Sequence, residues 1–209
     1  MANRATPPRQ RAPHLGPERR RPFVLDAALE IALEQGLPAV SIAEVAARLG
    51  ATRPVVYACF PGREELLDAL LDREKGVLVD ETLAALHGAR GDNPVDVFAN
   101  GYRALLTAVD NRPAAWRLIF DAHPESAAGR RVAAGRKTVF DAATAWIAPA
   151  MARWWHTEQL DRKLPALIEL FMASCDAAVR VVLDESNELD VEQTAVLFGT
   201  MMAHGFEKA

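Results

Sequence analysis

The twenty residues from Ser41 to Phe60, SIAEVAARLGATRPVVYACF, hold two helix starts and one helix stop, and that spacing leaves little freedom in how this stretch folds. Ser41 and Glu44 form the S-x-x-E pattern, in which a serine hydroxyl and a glutamate carboxylate each satisfy an orphan amide at a helix start. Ile42, Val45, Ala46 and Leu49 follow at i, i+3, i+4 and i+7, so they share one narrow apolar face. Gly50 supplies the stop, which predicts a helix of about ten residues.

A second helix opens almost at once. Thr52 is placed to cap it, and Pro54 is tolerated because first-turn amides have no intrahelical partner. Val56 and Phe60, at i and i+4, point inward, leaving Arg53, Val55, Tyr57 and Cys59 outward or sideways, and Pro61-Gly62 ends the helix. Two short helices joined by a tight glycine-containing turn have the form of a helix-turn-helix, and equally of a plain αα-hairpin. The outward residues favour the first reading, because Arg53, Val55 and Tyr57 are not the Glu/Lys mixture of an idle solvated face.

From Pro22 to Ala209 the periodicity is helical, with no sustained alternation of period two and no Asn-Gly hairpin signal, so the expected fold class is all-α. In PFVLDAALEIALEQG the acids Asp26, Glu30 and Glu34 line one face and Val24, Ala27, Ala28 and Ile31 the other, with Gly36 as the closing cap. Leu66, Leu67, Leu70, Leu71, Val77 and Leu78 begin a longer amphipathic helix.

The composition is that of a soluble globular chain, half apolar and a quarter charged, with no apolar run of membrane-spanning length. The N-terminus lacks the apolar core of a signal peptide, so a cytoplasmic location is expected. Cys59 and Cys175 are far apart and outside any paired-spacing motif, which argues against a disulfide framework or structural zinc. The net charge of -4 conceals an asymmetry: residues 1–63 carry nine basic and five acidic side chains, the remainder fifteen and twenty-three. A basic end on an acidic body suits an N-terminal part that meets a polyanion. Residues 1–21, with four prolines and six arginines, read as a flexible basic arm that tracks phosphates or a minor groove, or as a dangling terminus.

The segment AVSIAEVAARLGATRPVVYACFPGREELLDALL, Ala39 to Leu71, resembles the DNA-binding domain of the tetracycline-repressor (TetR) family of bacterial transcription regulators. The resemblance rests on Ser41 opening the second helix, the IAEVAARLG body, the Gly50-Ala51-Thr52 turn, Tyr57 three residues before Phe60, and a basic residue before an acidic-Leu-Leu helix start. It covers about 45 residues, Phe23 to Leu67. It implies that the helix holding Arg53, Pro54, Val55, Tyr57 and Cys59 lies in the major groove of operator DNA. Arg53 would then read a guanine edge, Pro54 and Val55 a thymine methyl, and Ser41, Thr52, Tyr57 and Arg63 phosphates. Arg63 stands where the family more often has lysine, Cys59 where an aromatic or histidine is common, and Ala43 offers no side chain for reading a base. Cys59, a lone thiol near Arg53, is either a small filler or a redox sensor.

After the arm read from composition at 1–21, the resemblance implies a helix-turn-helix domain at 22–67 and an effector-binding and dimerisation domain at 68–209. The body sequence predicts helices at Val95 to Asp110, over PAAWRLIFDAH, and at Ser126 to Trp155, the last kinked at Pro149. An apolar effector pocket, or else an ordinary aromatic core, is expected from Trp116, Phe120, Trp146, Met151, Trp154, Trp155, Phe171, Met172 and Cys175. DAHPE, Asp121 to Glu125, has a histidine between carboxylates but no second histidine at helical spacing, so no metal is expected and no cofactor is implied. The last two apolar helices carry small residues, Ala173, Ala177 and Gly199, that suit a homodimeric four-helix bundle. No catalytic constellation is visible, and the expected function is a ligand-responsive regulator, more readily a repressor than an activator. A helical ligand-binding or scaffold protein that does not touch DNA remains the competing class.

Overall fold

A computed structural model describes residues 16–120 and 127–209. The DAHPE motif and most of the expected arm lie outside the described residues. Among the described residues there are nine α-helices and no strand: α1 (Pro17–Gln35), α2 (Ile42–Arg48), α3 (Arg53–Tyr57), α4 (Arg63–Gly88), α5 (Pro94–Asn111), α6 (Pro113–Phe120), α7 (Ala127–Trp154), α8 (Leu160–Leu183) and α9 (Val191–Glu207). The all-α expectation is borne out. The chain divides into two compact units, Met1–Leu70 and Leu71–Ala209.

The first unit corrects two boundaries. α1 begins at Pro17, not Pro22, so Arg19, Arg20 and Arg21 belong to a helix rather than to an arm. Pro17 suits a helix start because its missing N–H is an orphan there anyway. Pro22 is carried inside the helix. α2 has seven residues rather than about ten, because Leu49 is already its C-cap. The core of the unit is made by Val24, Ala28 and Ile31 from α1, Val45 from α2, Val56 from α3, and Phe60, Leu66 and Leu70, all nearly inaccessible. Each of the larger side chains among them contributes about 1.5–3 kcal/mol by leaving water, and the Ala28 methyl less. Outside this core, Arg48 of α2 pairs with Glu30 and Glu34 of α1 at 3.1 and 2.6 Å.

In the second unit α5 and α9 form the principal helix pair. They approach so closely that a Cβ added at Gly199 would lie 2.5 Å from both Cα and N of Ala99. Asp190 and Gln193 form a reciprocal capping box that starts α9. The ring of Phe98 is the hub of the aromatic packing, with Phe206, Trp146 and Phe171 edge-on at 5.5, 5.7 and 6.0 Å between centroids and Trp155 stacked at 6.4 Å. Glu74 of α4 is buried, its two oxygens held by Arg73 at 2.9 Å and Arg112 at 2.7 Å, so its charge is matched rather than isolated.

Gly199→Ala is expected to destabilise the second unit by about 1–3 kcal/mol, because backbone atoms of α5 must give way to the new methyl. Chemical denaturation of the variant against the unaltered protein measures it. Unchanged stability would mean that α5 and α9 do not approach this closely.

Candidate nucleic-acid interface and body cavity

The turn between α2 and α3 is built by backbone geometry that the sequence demands. Ala51 N–H donates to Ala46 O (2.9 Å) and Gly50 N–H to Ala47 O (3.1 Å), the paired bonds of a Schellman closure. Gly50 takes φ +60, a left-handed conformation that an L side chain would strain, although space for one exists. At the start of α2, Ser41 Oγ accepts from Glu44 N–H at 3.1 Å, the serine half of the expected capping box. Thr52 occupies the N-cap of α3, but its hydroxyl makes no capping bond. Its carbonyl instead accepts from Val55 N–H at 2.9 Å.

α3 spans only Arg53–Tyr57 and is divided cleanly between two environments. Val56 and Phe60 are buried, while Thr52, Arg53, Pro54 and Tyr57 are exposed and Val55 is half-buried. Tyr57 keeps 51% of its surface accessible, unusual for a residue able to bury a ring. Cys59 is not on this outward face. It is buried at 3% exposure, and its thiol lies 3.5 Å from Pro17 O and 3.6 Å from Val55 O. The thiol faces inward, away from the exposed side of α3, and burial raises its pKa.

Arg63 also departs from expectation. From the first residue of α4 its Nε donates to Val40 O (2.7 Å) and its Nη2 to Leu37 O (3.1 Å) and Pro38 O (3.3 Å). These bonds tie it to the 3-10 turn at Leu37–Ala39, while the residue itself stays exposed. Sequence reasoning missed Arg21, whose Nη1 donates to Cys59 O at 2.8 Å and whose guanidinium sits 4.3 Å above the Phe60 ring. The available signal was periodic: Arg21 precedes Val24, Ala28 and Ile31 by three, seven and ten residues, on the buried face of α1.

The second unit contains a largely apolar cavity of about 220 Å³. Of the expected pocket residues, Trp116, Trp146, Phe171, Met172 and Cys175 line it. Met151, Trp154 and Trp155 do not. Met151 is buried, and Trp155 packs on Phe98 and Phe206 with Trp154 against it, so they belong to the aromatic core. The side chain of Phe120 lies outside the described set. The sequence reading missed Phe98, Tyr102 and Leu105, wall residues spaced i, i+4 and i+7 on α5.

One stretch of cavity wall is polar. The hydroxyls of Tyr102 and Ser174 are 2.5 Å apart, and Ser174 Oγ donates to Phe171 O at 2.6 Å, so the shared proton comes from Tyr102. Burial raises the Tyr102 pKa and pushes the Cys175 thiol from an ordinary 9.0 up to about 12, leaving both groups neutral. Arg136 of α7 pairs with Asp176 of α8 at 2.6 Å. Among the described residues no helix is long and apolar enough to cross a membrane, and no cluster of three His, Cys, Asp or Glu side chains is placed to hold a metal ion.

The capped α2, the Schellman turn at Gly50 and the outward α3 define a helix-turn-helix protein. Comparison with known proteins narrows the class. Residues 24–70 match the family model described as "Bacterial regulatory proteins, tetR family". The chain is 36% identical over 86 residues to the HTH-type transcriptional repressor DrrR1 of Streptomyces coeruleorubidus, covering 41% of this chain and 27% of that protein. It is 41% identical over 51 residues to the uncharacterized HTH-type transcriptional regulator TtgW of Pseudomonas putida, covering 24% of this chain and 38% of that one. The match thus spans well under half the length of both relatives. A TetR-like transcriptional regulator from Rhodococcus sp. RHA1 shares the fold, with TM-score 0.68 at 19% identity over 95% of this chain and 100% of that chain. The protein therefore has a TetR-like fold with a tetR-family helix-turn-helix domain at residues 24–70, and the resemblance read from Ala39 to Leu71 is borne out.

The alkaline limb of stability should report Cys175. A thiol that ionises near 9.0 when unfolded and near 12 when folded leaves the unfolded state with fewer protons between those values, so stability falls as pH rises through that window. Below pH 9 the thiol has no effect. Cys175→Ala should flatten the decline between pH 9 and 12 in urea titrations, and an identical decline in the variant would place the thiol in water.

Proposed function

We propose that this chain is a DNA-binding transcriptional regulator that acts as a homodimeric repressor and responds to a small apolar ligand. The observation that carries the reading is the two-sided segment of α3 and the residues just after it, with Val56 and Phe60 buried and Arg53, Pro54 and Tyr57 left in solvent. Arg53 supplies a planar fork for a guanine edge, Pro54 and Val55 apolar contact with a thymine methyl, and Ser41, Thr52 and Tyr57 phosphate hydrogen bonds. Thr52 suits that role because its hydroxyl makes no cap bond within the protein. The Streptomyces relative is named as a repressor, which supports repression over activation.

Two recognition helices must sit about 34–36 Å apart to meet successive major grooves, which calls for a dimer. The surface that suits it lies on α8 and α9, where Leu170, Val196, Leu197 and Met201 are 50, 44, 45 and 58% exposed. The ligand is assigned to the cavity of the second unit. Its volume of about 220 Å³ is below the ≈ 300–1,000 Å³ typical of drug-sized ligands, so the occupant is compact. A coupling of about 1–3 kcal/mol between cavity and operator would change affinity about 5- to 150-fold.

Enrichment of genomic fragments by the purified chain, followed by fluorescence anisotropy, tests the reading. Arg53→Ala should cost about 1–3 kcal/mol on the enriched fragment and relax selection at one base pair per half-site. An unchanged selection profile would remove Arg53 from base reading. Met201→Glu should yield monomers in sedimentation and abolish tight operator binding, and a dimeric, fully active variant would place the dimer interface elsewhere. Compact aromatic ligands that enter the cavity should quench Trp116 and Trp146 fluorescence and release the fragment together. Quenching without release would separate the cavity from regulation.

A further inference from the structure

A helix as short as α3 does not hold its own orientation, and the residues just beyond it are gripped at three points by the first turns of α1. Arg21 Nη1 donates to Cys59 O at 2.8 Å, so a cation satisfies a carbonyl just past the C-terminus of α3, where the helix dipole favours positive charge. The same guanidinium lies 4.3 Å above the buried ring of Phe60. The Cys59 thiol, itself buried, approaches Pro17 O at 3.5 Å and Val55 O at 3.6 Å, linking the first residue of α1 to the body of α3.

Resting on the DNA-binding reading above, we infer that Arg21 is a positioning residue, which sets the tilt and roll of α3 through Cys59 and Phe60 and does not itself neutralise a DNA phosphate. Arg21 sits half-buried on the α1 face that carries Val24, Ala28 and Ile31, with its Nη1 committed to the Cys59 carbonyl and its guanidinium plane to the Phe60 ring. The double role needs a planar group that stacks with its face and donates from its edge. Lysine keeps the charge but cannot do both at once. Arg21 thereby decides where Arg53 and Tyr57 point without touching a base.

The test compares full-length Arg21→Lys and Arg21→Gln with the unaltered chain. The probes are the DNA fragment that the unaltered chain enriches and a mixed-sequence duplex of equal length, each titrated with salt. Both variants should lose preference for the enriched fragment by about tenfold, as if one base contact were lost, while binding to mixed sequence and the salt slope stay unchanged. A fall in the slope of about 0.9 per protomer, or roughly 1.8 for the bound dimer, for Arg21→Gln, restored by Arg21→Lys, would overturn the proposal and make Arg21 a phosphate contact. Unchanged preference among the folded molecules, counted by stoichiometric titration, would overturn it in favour of a purely stabilising role. Phe60→Leu keeps an apolar core residue but removes the ring, and decides the matter if the glutamine variant fails to fold. It should lower preference in the same direction and leave Arg21→Lys with less to lose in the doubly substituted chain, whereas strict additivity would count against the latch. If the unaltered chain enriches no fragment, the DNA-binding reading itself falls, and this proposal with it.

Discussion

The α3 helix is five residues long, and a helix of that length has no stability of its own. Its existence depends on two side chains one turn apart, Val56 and Phe60, that are drawn into the core formed by α1, α2 and the start of α4. Burying them orients the opposite face, so Arg53, Pro54 and Tyr57 are presented to solvent by the anchoring of their neighbours. The left-handed Gly50 sets the direction in which the chain leaves α2, and Arg63 holds the 3-10 turn before α2 by its carbonyls. A rigid outward face is therefore obtained from very little secondary structure.

The second unit solves a different problem. Phe98 gathers four aromatic rings around itself, and the close crossing of α5 and α9 at Ala99 and Gly199 fixes the helices that carry them. The aromatic residues divide between two tasks: Trp155 and Phe206 complete the packing, while Trp116 and Trp146 reach the cavity wall. The cavity's polar groups are neutral or paired, which suits a mostly apolar occupant with few polar demands.

Local signals were read most reliably where one residue type has one physical use. Ser41 and Asp190 cap because a short acceptor side chain meets an orphan amide, and Gly50 ends α2 because only glycine takes that φ without strain. Misreadings came where composition stood in for packing. Arg21 looked like part of an arm because arginine and proline dominate its neighbourhood, yet its place on the α1 stripe draws it inward. Cys59 was assigned outward by exclusion from the i, i+4 pair, but the segment after Tyr57 leaves the helix and turns the thiol in. Nothing in the spacing of Trp146, Met151 and Trp154 on α7 tells a cavity wall from a core contact.

The amino-acid sequence by itself determined the all-helical class, the turn at Gly50, and the outward placing of Arg53 and Tyr57, because periodicity, capping and φ preference act within a few residues. Tertiary structure alone decided that Arg21 stacks on Phe60, that Arg63 turns back to the carbonyls before α2, and that five of the nine suspected residues meet at a cavity. Helical spacing says which residues share a face, but the partner of that face is chosen by packing against distant parts of the chain.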